Sequence, residues 1–165
     1  MLTNIRKPSA ADLNYILDID LKCFEDNWSL IKWRETVSDP RNGVLIGTYQ
    51  GLPVGFIVWL SAGKSIVERL GVKASYQNKG VGSQLLSAVE VILTQQGINE
   101  LIFPVTESRC KPHTPKDVSK WIIGRGYSAT GISRNTGWYY GEKEDEIIFH
   151  KFLEESSKHG TNSRL

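Results

Sequence analysis

The chain has little sulfur: two cysteines and one methionine in 165 residues. So low a cysteine count excludes a disulfide-dense secreted scaffold, and no segment resembles a signal peptide, so we read free thiols at Cys23 and Cys110 and a cytoplasmic setting. Neither cysteine belongs to a Cys-x-x-Cys pair, and the three histidines lie far apart, so no metal site is expected. No apolar run approaches the roughly 20 residues that a membrane span needs, which excludes a membrane partner of that kind. An excess of one charge is missing too. Twenty Lys and Arg face eighteen Asp and Glu, for a net charge of +2, and the basic residues are scattered rather than gathered in one arm or stripe. Nucleic-acid binding gets no support from such a distribution.

What is present suits one compact domain. An apolar fraction of 40% can fill a single core at this length. We expect that domain over residues 1–155, followed by a polar tail, SSKHGTNSRL, over residues 156–165. It would act as a monomer or homodimer. IRKPSAADLNYILDIDLKCF reads as a short strand, a cap at Ser9, and a helix with apolar positions Leu13, Ile16, Leu17, Leu21 and Phe24. A second helix starts near Ser29. GVLIGTYQGLPVGFIVWL reads as a hairpin turning at Gln50-Gly51-Leu52-Pro53, and KSIVERLGV as the next strand. Apolar residues from Val81 to Leu93 recur at three and four until Gly97 stops the helix. NELIFPVT gives another strand, PKDVSKWIIGRGY a short helix, and GWYYGEKEDEIIFHKFL a last hairpin. The pattern predicts an α/β (α+β) fold: a mixed, mostly antiparallel sheet of about seven strands flanked by about four helices.

The chemistry-bearing stretch is VKASYQNKGVGSQLL, residues 72–86, where a polar glycine-bearing run joins a strand to a helix. Successive backbone N–H groups over residues 78–83 would face outward at the helix N-terminus, where the helix dipole favours an anion such as a pyrophosphate. Gly80 and Gly82 carry no Cβ to hold phosphates away, and Lys79 adds a positive charge, although a solvated lysine explains that side chain equally well. The spacing is neither the GxGxxG dinucleotide fingerprint nor the GxxxxGK P-loop.

Gln77-x-x-Gly80-x-Gly82 resembles the (Arg/Gln)-x-x-Gly-x-(Gly/Ala) signature of the GNAT superfamily, the acetyl-coenzyme A dependent N-acetyltransferases. Three fixed places in six are weak alone. The neighbouring segments ERLGVKASYQNKGVGSQLL, LIGTYQGLPVGFIVW, WIIGRGYSATG and EIIFHKFL resemble the family's elements in its order, over roughly residues 3–153. The resemblance implies acetyl-coenzyme A as co-substrate. It implies backbone pairing of the pantetheine arm with Leu70, Gly71 and Val72, and phosphate binding by Gln77, Asn78, Lys79, Gly80, Val81, Gly82 and Ser83. Gly71 is equally compatible with a bulge.

CFEDNWSLIKW and the pair Tyr139-Tyr140 resemble the RimI type, which acetylates the N-terminal alanine of a ribosomal protein. Two short matches favour a protein or peptide N-terminus as acceptor over a small-molecule amine. The RimI-type catalytic Glu, however, falls on Pro104, the catalytic Tyr on Ile122, and the adenine-side Asn on Pro115. With that pair replaced, a catalytically silent acetyl-coenzyme A binding module stands as the alternative to an active enzyme. Transfer of acetyl to an amine needs a base to free the amine and a proton for the leaving thiolate. Glu68, read as sharing a strand face with Leu70 and Val72, is the first candidate for general base, a strand-end salt bridge being the competing explanation. Tyr139 and Tyr140 are candidates to orient the amine or donate a proton. Glu107 and His113 are lesser candidates. The five tryptophans read as core and cleft walls, and the acidic run over residues 142–146 as a solvated turn.

Overall fold

The computed structural model describes residues 1–61, 63–111 and 117–154. Its frame is a seven-stranded sheet in the order β1-β2-β3-β4-β5-β7-β6. The strands are β1 (Asn4–Arg6), β2 (Asn42–Tyr49), β3 (Leu52–Leu60), β4 (Ile66–Val72), β5 (Glu100–Thr106), β6 (Ser128–Tyr139) and β7 (Glu142–Phe152). Every neighbouring pair is antiparallel except β4 with β5. Four helices complete the fold: α1 (Leu13–Cys23), α2 (Leu30–Ser38), α3 (Val81–Gln95) and α4 (Ser119–Gly124).

Both faces of the central strands are covered, so β2 and β3 read as continuous apolar runs, and alternate residues serve two separate cores. Val44, Ile46, Phe56 and Val58 pack with Leu13, Ile16 and Ile19 of α1 and Trp33 of α2. Leu45, Ile57 and Trp59 join Leu85, Leu86, Val89 and Leu93 of α3 and Ile122 of α4. Helix α2 starts where Ser29 accepts a bond from the Lys32 N–H at 3.1 Å.

Several local expectations need correction. Leu21 is exposed, and Ile19 and Asp20 take the buried face of α1, because Asp20 has partners below the sheet surface. The first hairpin turns on two residues only, Gln50 and Gly51, both with left-handed backbone, and Leu52 already belongs to β3. The last hairpin is longer than expected. β6 begins at Ser128, and its bulges hide the period-two pattern. Residues 142–146 are not a solvated turn: they form the first half of β7. His113, Pro115 and the tail over residues 156–165 lie outside the described residues.

Candidate active site

β4 and β5 touch at one ladder position, Ile66 opposite Ile102, where the Ile102 N–H bonds the Ser65 carbonyl at 2.9 Å. Beyond it, among the described residues, β5 pairs only with β7, and the two parallel strands part. The wedge between them is a cavity of about 230 Å³. Glu68, Arg69 and Leu70 line its β4 wall, and Phe103, Pro104, Val105 and Thr106 its β5 wall. Trp121 and Ile122 of α4 close one side, while Phe24 and Asp26 after α1 and Thr136, Gly137 and Trp138 of β6 close the other. Arg109 and Glu146 also reach it.

Glu68 owes its position to a β-bulge. Val58 of β3 stands opposite Arg69 and Trp59 opposite Val67, which leaves Glu68 without a cross-strand partner. Strict alternation therefore fails here. Val67 packs in the α3-side core with Leu70 and Val72, whereas Arg69 turns to α1, so the inference of a shared face from even spacing is corrected by the inserted residue. Partial burial raises the Glu68 carboxyl above its ordinary range; Asp39 adds to the rise and Lys32 opposes it.

Beneath the bulge lies a buried ion pair that the sequence did not reveal. Arg69 Nε donates to Asp20 Oδ1 at 2.7 Å, and the other Asp20 oxygen accepts from Trp33 Nε1 at 3.0 Å and the Trp28 N–H at 2.8 Å. Arg69 also bonds the Asp26 carbonyl at 2.9 Å. Trp28 and Ser29 are thus both occupied in packing: Trp28 stacks near Trp33 at 4.8 Å between centroids, and Ser29 caps α2.

On the expected cofactor side, the turn before α3 puts Asn78 and Gly80 in left-handed backbone, with φ of 59° and 90°. Gly80 is the helix N-cap and offers no side-chain cap. Among the described residues, the backbone N–H groups of residues 78–83 have no protein acceptor. Gly82 answers to no steric demand of the chain itself, since a Cβ there would find its nearest atoms at 3.7 Å, an ordinary contact with Trp121. Unused donors around a glycine that the protein's own packing does not require fit a phosphate-bearing ligand. Val81 is buried and anchors the turn, while Ser83 Oγ accepts from Trp121 Nε1 at 2.9 Å, tying the turn to the cavity wall. Gln77 Nε2 donates to the Val72 carbonyl at 2.9 Å, and Lys79 stands 5.8 Å from the Tyr76 ring. Gly71 is not the bulge: it pairs with Phe56, whose ring lies 2.7 Å from where a Cβ would be.

Of the candidates, the cavity brings together Glu68 and Leu70. Gly71, Val72 and residues 77–83 do not line it, and the turn reaches it through Trp121. Tyr139 and Tyr140, packed edge to face at 4.5 Å, stand at the β6–β7 turn outside the lining, where Trp138 takes the place expected of them. Glu107 is exposed and also outside. Neither thiol is activated, because burial raises Cys23 and pushes Cys110 up to about 11.

Arg109 and Glu146 were missed. A signal for Glu146 existed in the alternation of β7: Glu144 accepts from the Ser108 N–H at 3.1 Å, Asp145 pairs with Arg134 on the opposite side at 2.7 Å, and Glu146 faces the cavity. Arg109 carried no signal, since its loop has no periodicity.

A family model described as the Acetyltransferase (GNAT) family matches residues 13–111. Among curated proteins no relative matches. Solved structures with the same fold include the ribosomal-protein-S18-alanine N-acetyltransferase from Escherichia coli, 19% identical, with a TM-score of 0.76 over 92% of this chain and 94% of that one. Ard1 from Thermoplasma volcanium is 17% identical, with a TM-score of 0.81 over 94% of this chain and 100% of its own. The protein yncA from Salmonella typhimurium, solved with its cofactor acetyl-CoA, is 16% identical, with a TM-score of 0.73 over 94% of this chain and 96% of its own. With its parted strands, its glycine turn before α3 and a family match over more than half its length, the chain belongs to the GNAT family of acetyltransferases.

Proposed function

We propose that the protein transfers acetyl from acetyl-coenzyme A to a primary amine, with Glu68 as the general base, in a complex that holds both substrates together. The observation that supports this reading is Glu68 itself, which a bulge leaves without a cross-strand partner on the wall of the cleft where β4 and β5 part. The uncapped N-terminus of α3 would hold the pyrophosphate through the N–H groups of residues 78–83, and the backbone of Leu70, Gly71 and Val72 would pair with the pantetheine arm. Bound there, acetyl-coenzyme A supplies an acetyl thioester.

An amine is an ammonium ion at neutral pH and must lose a proton before it can attack. Glu68 takes that proton, directly or through water, and its raised pKa brings its proton affinity closer to the task. Pro104 and Ile122, which line the same cleft, have no proton to give or take, so the role falls on the carboxylates. The attack is direct, because both thiols are held in their protonated form and neither lines the cavity.

A peptide N-terminus is the acceptor we favour. Trp138 lines the cleft, and Tyr139 and Tyr140 stand beside its mouth at the β6–β7 turn, an aromatic rim suited to an extended backbone. Thiol release from acetyl-coenzyme A against a panel of peptides and small amines tests the proposal. Turnover with at least one amine, lost in Glu68→Gln, is the expected result, and release that ignores both the amine and the substitution sinks it.

A further inference from the structure

Two guanidinium groups meet the ring of Phe24 in the cavity wall, Arg69 at 4.1 Å and Arg109 at 4.6 Å. They differ in what they are bonded to. Arg69 is held by Asp20, by the Asp26 carbonyl and, at 3.6 Å, by the Asp26 carboxylate. Arg109 has no carboxylate within ion-pair distance among the described residues. Its one hydrogen bond among them is a long one, 3.4 Å, from its guanidinium to the Cys23 carbonyl.

Burial lowers the pKa of Arg109, the sign of a charge kept out of water without full compensation. A guanidinium has five N–H donors in a planar fork, and the half-buried fork of Arg109, which uses one of them weakly among the described residues, is matched to a carboxylate. The fork sits on the turn after β5, against the end of α1 and within electrostatic reach of Tyr139. It is thus on the β6–β7 side of the cleft, and none of the residues of the glycine turn lines that cleft. Three carboxylates, Asp26, Glu68 and Glu146, share the cavity with it. A wall that carries a guanidinium and carboxylates, of which Asp26 is shared with Arg69, suits a molecule that carries both an ammonium and an anion.

We propose that Arg109 is a specificity residue that pairs with an anionic group of the acceptor, so that the acceptor is an amine bearing a carboxylate a few bonds away. This rests on the acetyl-transfer reading for the placement of the amine. Two sources share that chemistry: a free amino acid, and a peptide whose first residues include Asp or Glu.

The test uses matched pairs. Free amino acids are compared with their amides, and peptides beginning with Asp or Glu with those beginning with Asn or Gln, by thiol release from acetyl-coenzyme A. The acid member of at least one pair should exceed its neutral partner tenfold or more in kcat/KM, and the pair that shows it names the source. Arg109→Gln should collapse that ratio by raising KM for the acid far more than for its neutral partner, and Arg109→Lys should keep part of it. Equal acid and neutral partners in the wild type, or a ratio that survives Arg109→Gln, overturns the proposal.

A second arm needs no turnover. N-acetyl amino acids are titrated against their amides, and N-acetyl peptides beginning with Asp or Glu against those beginning with Asn or Gln, by tryptophan fluorescence, since Trp121 and Trp138 line the cavity. Tenfold tighter binding of the acids, lost in Arg109→Gln, supports the anion pocket even if no amine is acetylated, and equal binding refutes it while leaving acetyl transfer standing.

Discussion

Glu68 combines two features: no cross-strand partner on β3, and a carboxyl that, although the residue is exposed, is raised above its ordinary range by desolvation. If it is the base, Glu68→Gln lowers turnover by about 10²-fold or more with little change in acetyl-coenzyme A affinity, as loss of a general base does. Its pH signature follows from the direction of the shift. The base form is the ionised form and the pKa is raised, so the rate falls as pH drops through a midpoint above the ordinary glutamate range. Wild-type turnover in Glu68→Gln transfers the role, with Glu146 as the next candidate among the carboxylates that line the cleft. Gly82 permits an equally local test. Its missing Cβ has room on the protein side, so Gly82→Val should fold yet lose acetyl-coenzyme A binding by calorimetry; unchanged affinity in a folded variant rejects the phosphate site at that turn.

Elements here are joined by buried charge. Asp20 of α1 and Arg69 of β4 hold the first helix against the wall of the cleft, both almost without solvent exposure. Asp20→Asn leaves a buried guanidinium uncompensated and should cost about 3–5 kcal/mol in denaturant unfolding, whereas Asp20→Leu combined with Arg69→Met should cost clearly less. A second joint links β1 to α1, where Arg6 and Ser9 bond the Asp12 carboxylate at 2.7 Å and hold its pKa at about 2, the Arg6 bond being the largest cause. A depressed carboxylate pKa contributes stability that is present above the unfolded value near 4 and is lost as pH falls towards 2. Thermal melts of Asp12→Asn should therefore lose part of the wild type's decline over that window, and identical declines refute the assignment. The sequence told these elements apart unevenly. Regular periods exposed α1, α3 and the hairpin of β2 and β3, since each buries a repeating face. Non-local pairing did not show: Asp20 looked like any polar residue of α1 until Arg69, 49 positions on, came to face it. The bulges in β4 and β6 defeated alternation for the same reason, because an inserted residue leaves no mark in composition.

At the scale of the whole molecule the sheet is a frame that opens where β4 and β5 part, and in the proposed reading that opening separates the two substrates. β4 and β5 part after Ile66, the glycine turn of α3 lies beyond Trp121, and the β6–β7 turn stands on the other side of the cleft. The fold itself does not choose the acceptor: a structure of this fold, 14% identical with a TM-score of 0.75, is an aminoglycoside 6'-N-acetyltransferase complexed with coenzyme A. In the proposed reading the choice comes from Arg109, the three carboxylates and Trp138 in the cleft and from Tyr139 and Tyr140 at the β6–β7 turn. Spermidine and aminoglycosides are polycations with no anion to offer Arg109 and no peptide backbone to lay against an aromatic rim. A peptide N-terminus can use both. Tyr139→Phe or Tyr140→Phe should accordingly raise KM for the acceptor more than for acetyl-coenzyme A, and at least one peptide should exceed spermidine or an aminoglycoside in kcat/KM. If a small polyamine wins by tenfold or more, a difference of about 1.4 kcal/mol in transition-state stabilisation, the acceptor assignment is wrong and the transferase chemistry is untouched.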